Sequence, residues 1–198
     1  MARKAAFDRD DILARARDLF WRKGFHATSL KDLEVALELK PGSIYAAFGS
    51  KEGLFLEALQ DYARGSRSEL AEAYATGASP LAALAAHARG LAAICDPARP
   101  ARACMLVKTI LEHPEEDSPV RQLAEDLMDE AGARFMEGFR RAKAAGELPK
   151  DADPERLGRK FQADVVGLRA FAQRSDGAKV VPALAEDLAR SVEAMRVV

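Results

Sequence analysis

The chain has 198 residues, 48% of them hydrophobic and 31% charged, and a formal net charge of −1. That is enough apolar material for a sizeable core, and a balance that excludes a generally polycationic nucleic-acid coat while leaving a local basic face open. Only two cysteines, Cys95 and Cys104, exclude a disulfide scaffold and point to a reducing compartment.

The N-terminus has no apolar signal core, and the stretch from Leu81 to Cys95, interrupted by His87 and Arg89, is too short for a membrane span. A soluble cytoplasmic protein without a membrane partner is expected. β-branched residues are sparse and Ala, Leu, Arg and Glu dominate, so the predicted fold class is all-α, with about nine helices.

The first helix is predicted over about Arg9 to Lys23, capped by Asp8, with Ile12, Ala16, Leu19 and Phe20 as its apolar stripe and Gly24 as its stop. The second follows Ser29, where Asp32 completes a capping box and Leu30, Leu33 and Leu37 share a face. The third is short, Pro41 to Phe48. Pro41 suits a first helical turn, Gly49 ends it, and Ser50 caps a long fourth helix that runs through Leu54, Phe55, Ala58, Leu59 and Tyr62 to near Tyr74. A break at Thr76-Gly77-Ala78-Ser79-Pro80 precedes an alanine-rich helix from Leu81 to Cys95. After a turn, Asp96-Pro97-Ala98-Arg99-Pro100, a further helix covers about Ala103 to Glu112. The acidic loop Pro114-Glu115-Glu116-Asp117 leads into a long helix reaching Ala145. Asp153-Pro154-Glu155 starts the next, to about Gln173, and Ser175-Asp176-Gly177 separates a last helix ending near Arg196.

A helix of about two turns buries little by itself, and helices two and three are joined by about three residues. With helix one packed across them through Leu19, Phe20 and Trp21, this is the plan of a helix-turn-helix module whose last helix enters the major groove of DNA. Ten basic and seven acidic side chains over residues 1–51 give that end a net charge of +3, leaving −4 for the remainder. The segment Gly24-Phe25-x-x-Thr28-Ser29-Leu30-x-x-Leu33, followed by Pro41-Gly42-Ser43-Ile44-Tyr45-x-x-Phe48-x-Ser50-Lys51-Glu52-x-Leu54, resembles the DNA-binding signature of the TetR/AcrR family of bacterial regulators.

The resemblance implies a DNA-binding domain over residues 1–52 and an effector-binding and dimerisation domain over 53–198. It implies Thr28, Tyr45 and Lys51 as phosphate contacts, and Lys51 at a helix N-terminus fits that role physically. Lys40, Ser43, Ala46 and Ala47 would face the bases, while Ile44 and Phe48 hold the core. Three positions depart from the family pattern. Glu38 stands where glycine is usual, Lys40 where a serine or threonine cap is usual, and Ala46 and Ala47 where larger polar residues are common. A plain reading face of this kind relies more on phosphates and DNA shape.

In such a family the larger domain binds a small molecule and forms a homodimer. An apolar stripe, Leu157, Phe161, Val165, Leu168 and Ala172, runs down the penultimate helix, with Gly158, Ala163, Gly167 and Ala170 available for close approach. Leu184, Leu188, Val192 and Met195 line the last one. Two such helices can form half of a four-helix bundle completed by a second copy, so Leu157, Val165, Leu168, Leu184, Leu188, Val192 and Met195 are the predicted dimer interface. The predicted effector pocket takes His87, Leu91, Cys104, Met105, Lys108, Leu127, Phe135, Phe139 and Phe161, most of which serve as core by default. Cys104 stands four residues before Lys108, a spacing that would favour a thiolate on one helix face. Ala103-Cys104-x-x-Val107-Lys108 resembles a subgroup of the family with a Gly/Ala-Cys-x-x-x-Asn/Lys element, some of whose members sense electrophiles or oxidants.

No metal is expected, because Pro114 breaks the helix that would align Glu112, His113, Glu115 and Glu116. No cofactor is expected either. Without a Ser/His/Asp set or a phosphate-cradling glycine loop, an enzyme is not indicated. The sequence therefore reads as a homodimeric transcriptional regulator, a repressor released from a palindromic double-stranded DNA operator by a small-molecule effector or electrophile. The alternative is a helical interaction protein or small-molecule-binding protein that does not bind DNA, for which Glu38 is the only hint.

Overall fold

Asp8 starts α1 (Arg9–Lys23) by accepting the amides of Asp10 and Asp11, and Gly24 ends it with its N–H on the Phe20 carbonyl. The capping box of α2 (Leu30–Leu37) is complete: the Ser29 hydroxyl accepts the Asp32 amide while the Asp32 carboxylate accepts the Ser29 amide. The carboxylate also meets Lys23 at 2.7 Å, and these partners hold Asp32 well below the usual carboxylate range. α3 (Pro41–Phe48) carries proline in its first turn. α4 (Lys51–Ala75) is long, and the Ser50 hydroxyl accepts the Gly53 amide at its start.

The computed structural model describes residues 8–75, 79–96 and 103–197, with backbone alone at 66, 68, 69 and 73. The predicted breaks at Thr76-Gly77-Ala78 and Pro97-Ala98-Arg99-Pro100 lie outside the described residues, as do Arg3 and Lys4. The described residues are helical throughout, without a strand: α5 (Pro80–Gly90), a tight 3₁₀ segment (Leu91–Cys95), α6 (Met105–Glu112), α7 (Pro119–Ala144), α8 (Pro154–Phe171) and α9 (Gly177–Glu193) complete the order.

Two boundaries differ from the sequence reading. The helix predicted over Leu81 to Cys95 stops at Gly90, a weak helix former, and the chain tightens to i→i+3 bonding over the next five residues. The helix predicted from Ala103 begins at Met105, with Cys104 in extended backbone as its N-cap.

The core falls in two large parts that α4 links, beside a small cluster of Ile94, Cys95, Ala172 and Val181. The first gathers Ile12, Phe20, Leu33, Leu37, Ile44 and Phe48 of α1–α3 around Leu54, Phe55 and Leu59 of α4, and takes in Met105, Leu106, Val120 and Leu127 from α6 and α7. The second gathers Leu70 of α4 with Leu84, Phe135, Phe139, Phe161, Leu168 and Leu188 from α5, α7, α8 and α9. The predicted division at 52/53 thus passes through a helix whose first turns belong to the N-terminal core. Buried Glu147 ties the α7–α8 turn to the start of α5, accepting the Leu81 amide at 2.9 Å and pairing with Arg196 at 2.7 Å. A carboxylate at a helix N-terminus is favoured by the exposed amides there.

Candidate nucleic-acid interface and effector cavity

α3 is held from behind and presented in front. Ile44 and Phe48 point into the core, with Ile44 wholly excluded from solvent. Ser43, Ala46 and Tyr45 stand outward, and Tyr45 is 44% exposed. Ala47, predicted among the base-facing residues, is half-buried and packed against the N-terminal core, beside the inward-turned Phe48. Its carbonyl accepts Arg9 Nη1 at 3.1 Å, and the same guanidinium grips Glu57 of α4 and lies over the Phe48 ring. Arg9 therefore clamps the last turn of α3 onto α4. No sequence signal marks this role, since a basic residue in a first helical turn reads as solvated.

The turns around α3 are unusually tight. Glu38, in the turn before it, takes φ 55° and ψ 33°, the left-handed conformation that a side chain disfavours by about 1–2 kcal/mol. Lys40, exposed, supplies no side-chain cap, as its chemistry requires. Gly49 closes α3 at φ 75°. Gly53 sits so near the Phe48 carbonyl that any side chain there would strike the backbone, which fixes the angle at which α4 leaves α3.

The predicted phosphate contacts divide. Tyr45 is on the exposed face. Lys51, at the first turn of α4, is half-buried with its ammonium 4.4 Å from the centre of the Phe25 ring, a contact that holds a cation near the α2 start. Burial pushes its pKa down, and nearby Asp32 offsets part of that. Thr28 is corrected: it is fully buried, and its hydroxyl donates to the Gly24 carbonyl at 2.6 Å. It staples the α1–α2 turn and presents no hydroxyl to a backbone outside.

That turn is gripped by α6. The Glu112 carboxylate accepts the Phe25 amide at 2.9 Å and lies where any side chain at Gly24 would be. Gly24 adopts φ 87°, so this position suits glycine twice over. Lys108 Nζ donates to the carbonyls of Trp21 and Arg22 at 3.2 and 3.1 Å, capping the end of α1. His26 and His113 lie alongside, ring centres 4.8 Å apart. The predicted pairing of Lys108 with Cys104 does not form: Cys104 precedes the helix, and the ammonium is engaged on α1.

Between α4, α5, α6, α7 and α8 lies a narrow cavity with about 40 Å³ in which the centre of a water molecule fits. Of the predicted pocket residues His87, Cys104, Leu127 and Phe135 line it. Leu91, Phe139 and Phe161 are core side chains, with Phe161 backing the wall by an edge contact to Phe135 at 5.0 Å, and Met105 is buried in the other core. The lining also holds Tyr62, Arg134, Gln162 and Arg169, none of them among the predicted pocket residues. Arg169 had a usable signal: it follows Phe161 and Val165 at the four-residue spacing of the buried stripe. Burial first, and Arg169 second, lower the His87 pKa to about 4, so its imidazole is neutral at pH 7. Burial pushes the Tyr62 phenol up, keeping it a hydroxyl donor.

Of the predicted dimer residues, Val192 is turned into the core and Val165 lines the cavity; both point inward because α8 packs on this chain's own α7 and α9 on its own α5. Leu168, Leu184 and Leu188 meet a surface groove along α8 and α9 beside Gly167 and Phe171, the latter 48% exposed. Leu157 and Met195 border a second groove near Leu148.

Residues 12–58 match the model of the family described as bacterial regulatory proteins, tetR family, and residues 77–177 match that of the tetracyclin repressor-like C-terminal domain. The HTH-type transcriptional regulator YezE of Bacillus subtilis (strain 168) is 31% identical over 175 residues, spanning 87% of this chain and 90% of that protein. The HTH-type transcriptional repressor ComR of Escherichia coli (strain K12) is 48% identical over 60 residues, 30% of this chain and 29% of that one. In structure, a cysteine-substituted form of the TetR family transcriptional regulator CifR, complexed with 26-base-pair double-strand operator DNA, superposes with a TM-score of 0.83 at 34% identity. That likeness covers 96% of this chain and 99% of CifR.

Proposed function

The chain belongs to the TetR family of bacterial transcriptional regulators, and from that premise we infer a homodimeric repressor that holds a two-fold operator and leaves it when a small molecule enters the cavity. The observation that carries the reading is α3: two turns of helix, pinned by Ile44 and Phe48, with Ser43, Tyr45 and Ala46 outward and Lys51 at the adjoining helix start. Such an element has its use in a major groove. Ser43 and Lys40 are the groups on this face able to hydrogen-bond base edges, while the Ala46 methyl suits a thymine methyl. Tyr45 and Lys51 are assigned to phosphates. The reading head is small, so two are needed, related by the two-fold axis of a dimer formed through α8 and α9.

Release follows from linkage. An effector acts only through a difference in its affinity for two arrangements of the protein. α6 touches both places where such a difference would matter: Cys104 and Leu106 at its start line the cavity, and Glu112 at its end holds the α1–α2 turn. A shift of α6 that accommodates a ligand moves the reading head relative to α8 and α9, and so changes the spacing between the two heads. We assign the chain no catalytic role and place its action in the cytoplasm, where the operator is; no helix among the described residues is long and apolar enough to cross a membrane.

The test is binding of the full-length chain to duplexes selected from genomic DNA, measured against salt. Each phosphate neutralised contributes a slope of about −0.9 in log K against log[salt]. Lys51→Ala removes one such contact per head, so the slope of the dimer is expected to become shallower by about two. Selection that enriches no sequence, or a slope that Lys51→Ala leaves unchanged, would overturn the head or the phosphate assignment respectively.

A further inference from the structure

Arg169 is a buried cation with no anion beside it among the described residues. Its side chain, 7% exposed, lines the cavity from α8, and among the described residues no hydrogen bond or ion pair engages it. Among the described residues the lining contains no aspartate or glutamate. The cation nearest in kind, Arg134, also borders the cavity, and its contact to Glu130 is long, 3.9 Å, because that carboxylate is taken by Arg67. The titratable neighbours on either side supply no negative charge: His87 is a neutral imidazole and Tyr62 keeps its proton. A buried charge is stable only when paired or well hydrogen-bonded. An unpaired guanidinium facing a cavity is therefore half of an ion pair.

The other lining groups describe the rest of the missing partner. Leu106, Leu127, Phe135 and Val165 make an apolar wall. The narrow space, at about 10–15 Å³ for each water centre, holds roughly three or four waters, a volume suited to a compact molecule. Guanidinium and carboxylate planes match in a two-point contact, which Lys or His cannot reproduce.

We propose that the cavity binds a small monocarboxylate with an apolar body, its carboxylate on Arg169 and its body against Leu106, Leu127, Phe135 and Val165. The assignment rests on the reading of this cavity as the effector site and gives that effector its chemical class. An uncharged ligand of the same shape would leave Arg169 unpaired and so bind more weakly, whatever its apolar contacts. Because Leu106 belongs to α6, the ligand body lies against the element that grips the α1–α2 turn.

The probes are butyrate and benzoate, each compared with its neutral amide, on the full-length protein at fixed ionic strength. Thermal unfolding reports binding, and anisotropy of a labelled operator reports the DNA-bound state. The acids are expected to raise the unfolding midpoint saturably, with the amides weaker by about tenfold or more. Arg169→Gln is expected to abolish the difference between acid and amide while still binding operator without ligand; Arg169→Lys retains a weaker preference for the acids. Amides that bind as well as acids, acids that bind Arg169→Gln unchanged, or acids that leave the wild-type midpoint where it was would each overturn the proposal. If Arg169→Gln fails to fold, the wild-type acid–amide comparison and Arg169→Lys decide the matter. Failure of the regulator reading is seen separately, as a ligand-free wild-type protein that binds no operator.

Discussion

The buried hydroxyl of Thr28 ties the α1–α2 turn to the end of α1. The motif places it beside the reading head, yet its Oγ1 donates inward to the Gly24 carbonyl with no solvent exposure. Thr28→Val keeps the shape and leaves that carbonyl unpaired, at a cost of about 1–2 kcal/mol. The expected outcome is a lowered unfolding midpoint with operator affinity of the folded protein unchanged; an affinity loss without a change in midpoint would restore the phosphate role. Residues whose environment follows from periodicity were legible: Ile44 and Phe48 at i and i+4, Asp8 and Ser29 as caps, Glu38 as a strained turn. Those whose role depends on another element were not. Nothing local marks Arg9 as a clamp on α3, and the spacing that sets Arg169 on the buried stripe does not say that it faces a cavity. The Cys104–Lys108 pairing failed for a local reason, since it assumed a helix through Cys104 and the helix starts after it.

Among the elements, α6 has the most to do for its length. Its eight residues connect the cavity with the α1–α2 turn, through Leu106 at one end and Lys108 and Glu112 at the other. The grip at Glu112 is a charge-assisted hydrogen bond to a backbone amide, of a kind worth about 1.5–3 kcal/mol. Glu112→Ala is expected to lower stability by about that amount and to speed hydrogen exchange at the Phe25 amide above its α1–α2 neighbours. The same variant, if α6 carries the signal, binds operator but responds less to ligand. Unchanged exchange at Phe25 would show that the carboxylate does not hold the turn in solution. The sequence announced α1 to α4 through caps, proline and glycine at their ends. It left α6 vague, because its boundaries lie in a Cys104 cap with no side-chain bond and a His113 stop, neither of which is a recognised signal.

At the scale of the whole molecule the question is what covers the groove along α8 and α9. The stripe that suggested a dimer is largely satisfied within one chain: Val165, Leu168, Leu188 and Val192 are all buried there. What is left outward is a flatter strip containing Leu184, Phe171 and the half-buried Gly167, against which a second copy would fit by close approach of backbones rather than by interlocking large side chains. Gly167 separates the two possibilities by sign. A side chain added there meets open space within the chain. In a monomer, Gly167→Gln exchanges the weakest helix former but proline for a good one and should stabilise α8 by about 0.5–1 kcal/mol. In a dimer built on this strip, the added side chain holds the two copies apart. Sedimentation should then shift toward monomer, while unfolding of the chain at high dilution is not weakened. Operator affinity should fall by about a hundredfold or more, because each head alone loses the effective concentration supplied by its partner. A variant that sediments as wild type and holds operator equally well would move the dimer seam elsewhere and leave this face to another use.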